Sequence, residues 1–282
     1  MKIDERTVLP SLNDKEFNRL SEFIQTNYGI KLPQGKRIVL QGRLQKRLKV
    51  LSMNDFKTYV DYVFSVEGQG EIVNMIDVVS TNKTDFFRES AHFDYLSNTI
   101  LPELLNGNRY KTVRVWSAGC SSGEEPYTLA MVINEFKEKN PGMEYNILAT
   151  DISTQMLQKG VDAVYRLDHT VDIPLYLKKK YLLRSKDPSL GQVRIVKELR
   201  DKVQFRRVNF MDSVYQVENE FDIIFCRNAL IYFERPVQEA IINKLCQHLV
   251  KGGYFVLGHS ETITNMNVPL ERVASTISRK KA

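Results

Sequence analysis

From Val113 onward the chain alternates between two kinds of segment, and that alternation limits the folds open to it. Short runs of apolar and β-branched residues (VRVW, YNILAT, KVQFRRVNF, FDIIFC and GGYFVLGH) have the length and composition of strands. Between most of them lie stretches with helical character: EEPYTLAMVINEFKEK, STQMLQKGVDAVY and PVQEAIINKLCQHLVK. Strands alternating with helices predict a mostly parallel sheet with helices on both faces. In sheets of that kind ligands bind at the carboxyl ends of the strands. The residues that follow each strand are therefore the ones to read for function.

The first eighty residues follow another pattern. Phe17, Leu20, Phe23 and Ile24 form one apolar stripe, after the cap candidates Ser11 and Asn13 and before a stop at Gly29. A second helix fits 34–51, with Leu40, Leu44, Leu48 and Leu51 on one face. Phe56, Tyr59, Val60 and Val63 predict a third, capped by Asn54, and Ile72, Ile76 and Val79 a fourth. Residues 1–80 are thus expected to form a helical subdomain, and 81–282 the sheet domain. Within the latter, 166–203 break the alternation. A Lys-rich helical piece precedes two strand candidates, 181–184 and 192–196, that flank the turn signal SKDPSLG. This predicts an inserted helix-plus-hairpin subdomain, and a hairpin edge can accept an extra peptide strand.

Composition excludes several classes. With 43% hydrophobic and 26% charged residues the chain is of ordinary globular type. No run approaches the ~20 apolar residues of a membrane span. The opening MKIDERTVLP lacks the apolar core of a secretory signal, so a cytoplasmic location without membrane insertion is expected. Three cysteines (Cys120, Cys226, Cys246) with no CxxC argue against a disulfide framework or a zinc site. Four scattered histidines argue against a His-based centre, and no metal is expected. The net charge of +6 points weakly to an acidic partner.

Four segments carry the candidate chemistry. In VWSAGCSSGEEPYTLAM a strand passes through a turn into a helix, and Gly119 and Gly123 allow a ligand close to the backbone. A phosphate site here would want N–H groups and positive charge. The loop instead offers Glu124 and Glu125, which suit a ligand carrying an ammonium group. The spacing GCSSG is also not GxGxxG, which disfavours a nicotinamide dehydrogenase. The next strand ends at Asp151, placed either to accept from ribose hydroxyls or to cap the following helix. FDIIFCRNALIYF ends a buried strand in Arg227 and Asn228, with Tyr232 just beyond. TNKTDFFRES puts Asn82, Thr84 and Arg88 beside an exposed-looking pair, Phe86 and Phe87, at the joint between the two parts.

Taken in chain order, TNKTDFFRES first, these four segments and then GGYFVLGHSE occur in the bacterial chemotaxis receptor methyltransferases, the CheR family, which the chain resembles over nearly its whole length. The resemblance implies an α/β fold: a Rossmann-like S-adenosylmethionine-dependent methyltransferase sheet, a small all-helical N-terminal subdomain and a helix-plus-hairpin insertion. It implies methyl transfer from S-adenosylmethionine to glutamate carboxylates on the cytoplasmic helices of chemoreceptors, leaving S-adenosylhomocysteine. Matched residue by residue, Asn82, Thr84 and Arg88 reach into the cofactor site beside Gly119. Glu125 lies near the methionine ammonium group and Asp151 at the ribose. Asn209 and Phe210 form the adenine side, and Arg227 and Asn228 the floor beneath the sulfonium. Arg88 and Tyr232 lie nearest the reacting carboxylate as the catalytic pair.

The same resemblance gives meaning to the seven basic residues, without an acid, between Lys31 and Lys49. Arg43, Lys46 and Arg47 become a docking face for a glutamate-rich receptor helix, and the hairpin at 181–196 a site for a receptor's C-terminal peptide. A monomer is the simplest assembly. A nucleic-acid methyltransferase is the chief rival. Amino-methylating enzymes of that kind carry an Asn/Asp-Pro-Pro-aromatic turn where this chain has RNALIYF, so no nucleic-acid partner is expected. A cofactor-binding adapter without activity is disfavoured by the intact set Arg88, Glu125, Asp151, Asn228 and Tyr232.

Overall fold

Asn13 sets the start of the first helix, α1 (Asp14–Tyr28). Its side chain accepts from the Glu16 N–H while Glu16 reaches back to the Asn13 N–H, and Gly29 closes the helix at φ 70°. The computed structural model describes residues 10–106, 112–217 and 220–281. It continues with α2 (Arg37–Val50), α3 (Phe56–Val63) and α4 (Gln69–Val79). Asp55, rather than Asn54, caps α3, because its side chain accepts from the Thr58 N–H. Helices of this length are marginal alone in water and depend on burying one face. Here that face is Phe17, Leu20 and Ile24 on α1, Leu40, Leu44 and Leu48 on α2, and Tyr59, Val60 and Val63 on α3. The chain divides into two compact units, Met1–Thr81 and Asn82–Ala282.

The second unit opens with α5 (Ala91–Tyr95), which runs through a π-helical turn (Leu96–Ile100) into α6 (Leu101–Asn106). Then come β1 (Thr112–Ala118), α7 (Glu124–Lys139), β2 (Glu144–Asp151) and α8 (Thr154–Asp162). A small excursion follows: β3 (Val164–Arg166), α9 (Leu175–Tyr181), β4 (Leu182–Arg184), β5 (Gln192–Ile195) and α10 (Lys197–Arg200). The main sheet resumes with β6 (Val203–Arg207), β7 (Phe221–Cys226), α11 (Arg235–Gln247) and β8 (Leu249–Leu257). It closes with β9 (Leu270–Arg272) and β10 (Ile277–Lys280).

The seven strands lie in the order β6-β2-β1-β7-β8-β10-β9. The first five are parallel and β10 is antiparallel to both its neighbours. The period-two alternation of each strand feeds two cores. Val115, Ile147 and Ile223 pack with Leu129 and Ile133 of α7 on one face. Trp116, Leu148 and Ile224 pack with Ile241, Ile242 and Leu245 of α11 on the other. All six residues of β7 are buried, as a central strand covered on both faces requires. The winding reverses between β1 and β7: β2 and β6 extend one way from β1, β7 and β8 the other. That makes the gap beyond the carboxyl ends of β1 and β7 the topological switch point.

Two elements depart from the sequence pattern. DAVY reads as the end of a helix, yet α8 stops where Ala163 turns to φ 55°, and Val164–Arg166 is a strand. With β5 between β3 and β4, the insertion is a three-stranded antiparallel sheet rather than a hairpin alone. The terminal pair β9 and β10 is the other omission, since strands of three and four residues are too short to display a period. Among the described residues no helix is long and apolar enough to cross a membrane.

Candidate active site

Ser117 on β1 pairs with Phe225 on β7, so the turn after β1 and the turn after β7 emerge side by side. Gly119 has φ 87°, and a Cβ there would lie 2.7 Å from the Cβ of Ala229. Only glycine lets these two turns touch. The Gly119 N–H donates to the Thr150 carbonyl at 2.7 Å. The Ser121 N–H donates to Asp151 Oδ2 at 2.8 Å, and the Ser121 hydroxyl to the Asn82 carbonyl at 2.9 Å. Asp151 thereby ties the glycine loop to the end of β2. The cap of α8 falls to Ser153, whose side chain accepts from the Met156 N–H. Tyr165, from the small sheet, donates to the Ser122 carbonyl at 2.8 Å and holds the loop from its other side.

A buried guanidinium lies at the switch point. Arg227, its side chain 2% exposed, donates through Nη1 to Glu125 Oε2 and through Nη2 to Glu89 Oε2, each at 3.1 Å. Nη2 also donates to the Arg88 carbonyl, and the group lies 5.4 Å from the centre of the Phe93 ring. Its Nε has no partner among the described residues. Glu125 accepts in addition from Ser117 Oγ at 2.7 Å. Burial pushes the Glu125 carboxyl above its ordinary range despite the Arg227 charge. Burial works the same way on Glu89, but there the Arg227 charge and the hydrogen bonds from Arg227 and Asn228 prevail and hold it low. Glu124 is turned to its own loop, accepting from Ser122 Oγ at 2.7 Å. Of the two acids, Glu125 is therefore the one joined to both strand ends.

Asn228, at φ 55°, is held by two carboxylates. Its N–H donates to Glu261 Oε2 at 2.8 Å and its side chain to Glu89 Oε1 at 3.3 Å. Glu261 also accepts from the N–H groups of Leu230 and Gly258, each at 2.8 Å. A Cβ on Gly258 would lie 2.5 Å from Asn228 Nδ2, so this approach too depends on glycine. Neither Glu89 nor Glu261 stands out in the sequence, although both acids sit in quoted motifs, FFRES and GHSE. An acid just after an apolar strand or beside two aromatics was the available signal. Glu89, His92 and His259 are near enough to share a cation. Arg227 already supplies Glu89 with one, and burial together with the Arg227 charge pushes the His92 imidazole down to about 4.

The remaining candidates are placed as follows. Arg88 is half-buried and donates through Nη1 to the Lys83 carbonyl at 3.1 Å. Thr84 is half-buried in the same segment. The sequence suggests an exposed aromatic pair there. Instead Phe86 is fully buried with its ring 4.9 Å from that of Tyr165, and Phe87 packs on Phe93 at 5.7 Å. Asn209 accepts from the Met211 N–H at 3.0 Å. The half-buried Phe210 ring approaches to 4.0 Å of where a Gly119 Cβ would stand. Tyr232 ends the short turn Leu230–Tyr232, half-buried, its hydroxyl without a partner among the described residues. Ser121 thus links Asn82 to Asp151. Arg227 and Glu89 link Arg88, Glu125 and Asn228.

In the helical unit, the docking candidates fare unequally. Arg47 makes a two-pronged pair with Glu71, at 2.7 and 2.6 Å, with side chains only 13% and 3% exposed. The Tyr59 hydroxyl donates to the same carboxylate at 3.1 Å. Arg43 donates to the carbonyls of Val79 and Ser80 and so closes the end of α4. Of the three docking candidates, Arg43 and Arg47 thus make bonds within the unit, and Lys46 is exposed.

A doubly wound sheet with a glycine loop at its switch point and an acid closing the second strand defines a Rossmann-like cofactor-binding domain. Residues 82–278 match the family described as CheR methyltransferase, SAM binding domain, and residues 15–80 match CheR methyltransferase, all-alpha domain. The chain is 38% identical over 274 residues to the chemotaxis protein methyltransferase of Borreliella burgdorferi, covering 96% of this chain and 95% of that one. It is 34% identical over 256 residues to that of Salmonella typhimurium, covering 91% and 86%. It is 33% identical over 264 residues to chemotaxis protein methyltransferase 2 of Pseudomonas aeruginosa, covering 93% and 92%. The chain belongs to the CheR methyltransferase family, with a domain that binds S-adenosylmethionine.

The Arg47 geometry makes a prediction about stability. Removing one partner of a buried pair leaves the other charge uncompensated, so Arg47→Ala should cost about 3 kcal/mol or more in urea unfolding. Lys46→Glu should leave the unfolding midpoint near that of the wild type. Equal effects from the two substitutions would contradict the assignment of Arg47 to the core of this unit.

Proposed function

We propose that this chain transfers a methyl group from S-adenosylmethionine to glutamate side-chain carboxylates on the cytoplasmic helices of bacterial chemoreceptors, giving methyl esters. The observation that carries the reading is the charge at the switch point. With both acids ionised, Glu89, Glu125 and Arg227 sum to one negative charge, and the glycine loop itself offers no lysine or arginine. Such a place suits a ligand bearing positive charge and not a phosphate. The family match and the names of the relatives support the same cofactor and a role in chemotaxis.

S-adenosylmethionine supplies a methyl group on cationic sulfur and leaves as S-adenosylhomocysteine. In this reading Glu125 receives the ammonium group, Asp151 the ribose hydroxyls, and Asn209 with Phe210 the adenine. Asn82, Thr84, Arg88 and Gly119 line the rest, and Asn228 forms the floor beside Arg227. The Arg227 side chain, nearly wholly buried, contributes through the groups it holds. The acceptor glutamate needs no general base, because a carboxylate of pKa near 4.3 is ionised at about pH 7. The chain's part is then orientation and electrostatics. Arg88 aligns the acceptor carboxylate and Tyr232 hydrogen-bonds to it. A half-exposed arginine orients without gripping so tightly that it blunts the nucleophile.

Lys46 and the neighbouring exposed Lys49 offer charge to an acidic receptor helix. In the small sheet β5 lies between β3 and β4, so one edge of β4 is left to pair with a further strand. A receptor's C-terminal peptide is the proposed occupant. The protein is proposed to work as a cytoplasmic monomer that does not bind nucleic acid.

Two measurements test this. Methyl-tritiated cofactor is offered with a chemoreceptor cytoplasmic fragment or with RNA. Label should enter the receptor and leave as methanol in base, while Arg88→Ala should lower kcat by about 100-fold. Base-stable label, label in RNA, or undiminished turnover of Arg88→Ala would reject the corresponding part of the reading. Separately, calorimetry should detect the C-terminal peptide binding to wild type. Gly191→Pro should abolish it, because Gly191 has φ 54° and donates its N–H to Pro188. Absence of binding to wild type would remove the strand-addition proposal.

A further inference from the structure

The turn at 86–90 holds two non-glycine residues in left-handed backbone, Phe87 at φ 54° and Glu89 at φ 56°. Left-handed backbone is costly for an L-residue and persists only where the surroundings impose it. For Phe87 they are Thr128, whose hydroxyl accepts its N–H at 3.2 Å, and the Phe93 ring. For Glu89 they are on its own side chain. The carboxylate accepts from Arg227 Nη2 at 3.1 Å, Asn228 Nδ2 at 3.3 Å and the His259 N–H at 3.1 Å. Three separate stretches of chain, the turn itself and the ends of β7 and β8, thus meet on one acid. Arg227 adds a second tie to the same turn through the Arg88 carbonyl.

We propose that Glu89 is a positioning residue for methyl transfer. It fixes the backbone that presents Arg88 and the amide of Asn228, without itself touching either reactant. The proposal rests on the reading above in one respect, that Arg88 orients the acceptor. Two features separate this role from a plain stabilising one. Its carboxylate accepts from three protein donors, on Arg227, Asn228 and His259. Two of those donors are side chains of proposed site residues, whereas Glu261, the other acid on Asn228, receives only backbone N–H groups. Its left-handed backbone immediately follows Arg88, so a relaxation of Glu89 toward ordinary φ would redirect the residue before it.

The charge matters beside the geometry. Arg227 divides its two amino groups between Glu89 and Glu125. Neutralising Glu89 would leave Glu125 as the only ionised partner of Arg227, while the acceptor atom of a glutamine at 89 could still take the Asn228 amide. The two substitutions Glu89→Ala and Glu89→Gln therefore separate the contributions of hydrogen bonding and charge.

The test uses the full-length enzyme, a chemoreceptor cytoplasmic fragment and S-adenosylhomocysteine as the binding probe. For Glu89→Ala, kcat should fall by about 100-fold, the scale of a small misplacement of reacting groups. The Michaelis constant for receptor should stay within about threefold of wild type, and any loss of S-adenosylhomocysteine affinity should be far smaller than the loss of kcat. Glu89→Gln should recover part of the lost kcat. Circular dichroism and the urea midpoint establish that each variant is folded under assay conditions. Unchanged kcat in a folded Glu89→Ala enzyme would overturn the proposal, as would a loss of cofactor affinity that parallels the loss of kcat. A wild-type enzyme that fails to methylate the receptor would instead reject the functional reading.

Discussion

A single guanidinium shared by two carboxylates organises the ligand end of this molecule. Taking Arg227 out of water costs several kcal/mol unless charged and polar partners surround it. They do so from three directions: Glu125 at the start of α7, Glu89 and the Arg88 carbonyl in the turn before α5, and the Phe93 ring beneath. Since Arg227 itself ends β7, and Glu125 is bonded to Ser117 near the end of β1, four parts of the chain are registered to one side chain. The arrangement specifies geometry more than it adds stability, as is usual for buried ion pairs. It also leaves an excess of negative charge where a cationic cofactor is proposed to lie.

Backbone contact completes what the ion pairs begin. The turns after β1 and β7 touch at Gly119 and Ala229, and the end of β8 touches Asn228 at Gly258. A methyl group added at either glycine would separate the turns and, with them, the groups they carry. Asp151 plays a matching part on the other flank, tying the glycine loop to β2 through the Ser121 N–H. The switch point is consequently closed on its sides by hydrogen-bonded acids, each of which holds loop backbone or a site side chain.

Much of this could be read in advance, and the reasons differ by residue. The alternation of strands and helices exposed the five parallel strands, each of which spans five residues or more. Asp151 and Arg227 stood out because each charge ends or directly follows an apolar strand, although Asp151 reads equally as a helix cap. Strand β3 was not legible, because three residues continuous with a helix carry no period of their own. Arg47 is a related case: a charge run shows the number of cations, but only the fold shows that Glu71 is buried opposite one of them. Glu89 and Glu261 were hidden because a clasp is defined by partners far along the chain, 138 residues away for Arg227 and 31 for Leu230. The family resemblance supplied the cofactor and the reaction; it said nothing of these clasps.

Arg227 is held by, and itself holds, two acids that are costly without it. Urea unfolding of Arg227→Met and of the triple variant Arg227→Met, Glu89→Gln, Glu125→Gln measures that cost directly. The single substitution strands two buried carboxylates and should lose about 3–5 kcal/mol, while the triple variant, with no charge left unpaired, should regain most of that loss. A single variant as stable as wild type, or a triple variant no more stable than the single, would contradict this mutual dependence.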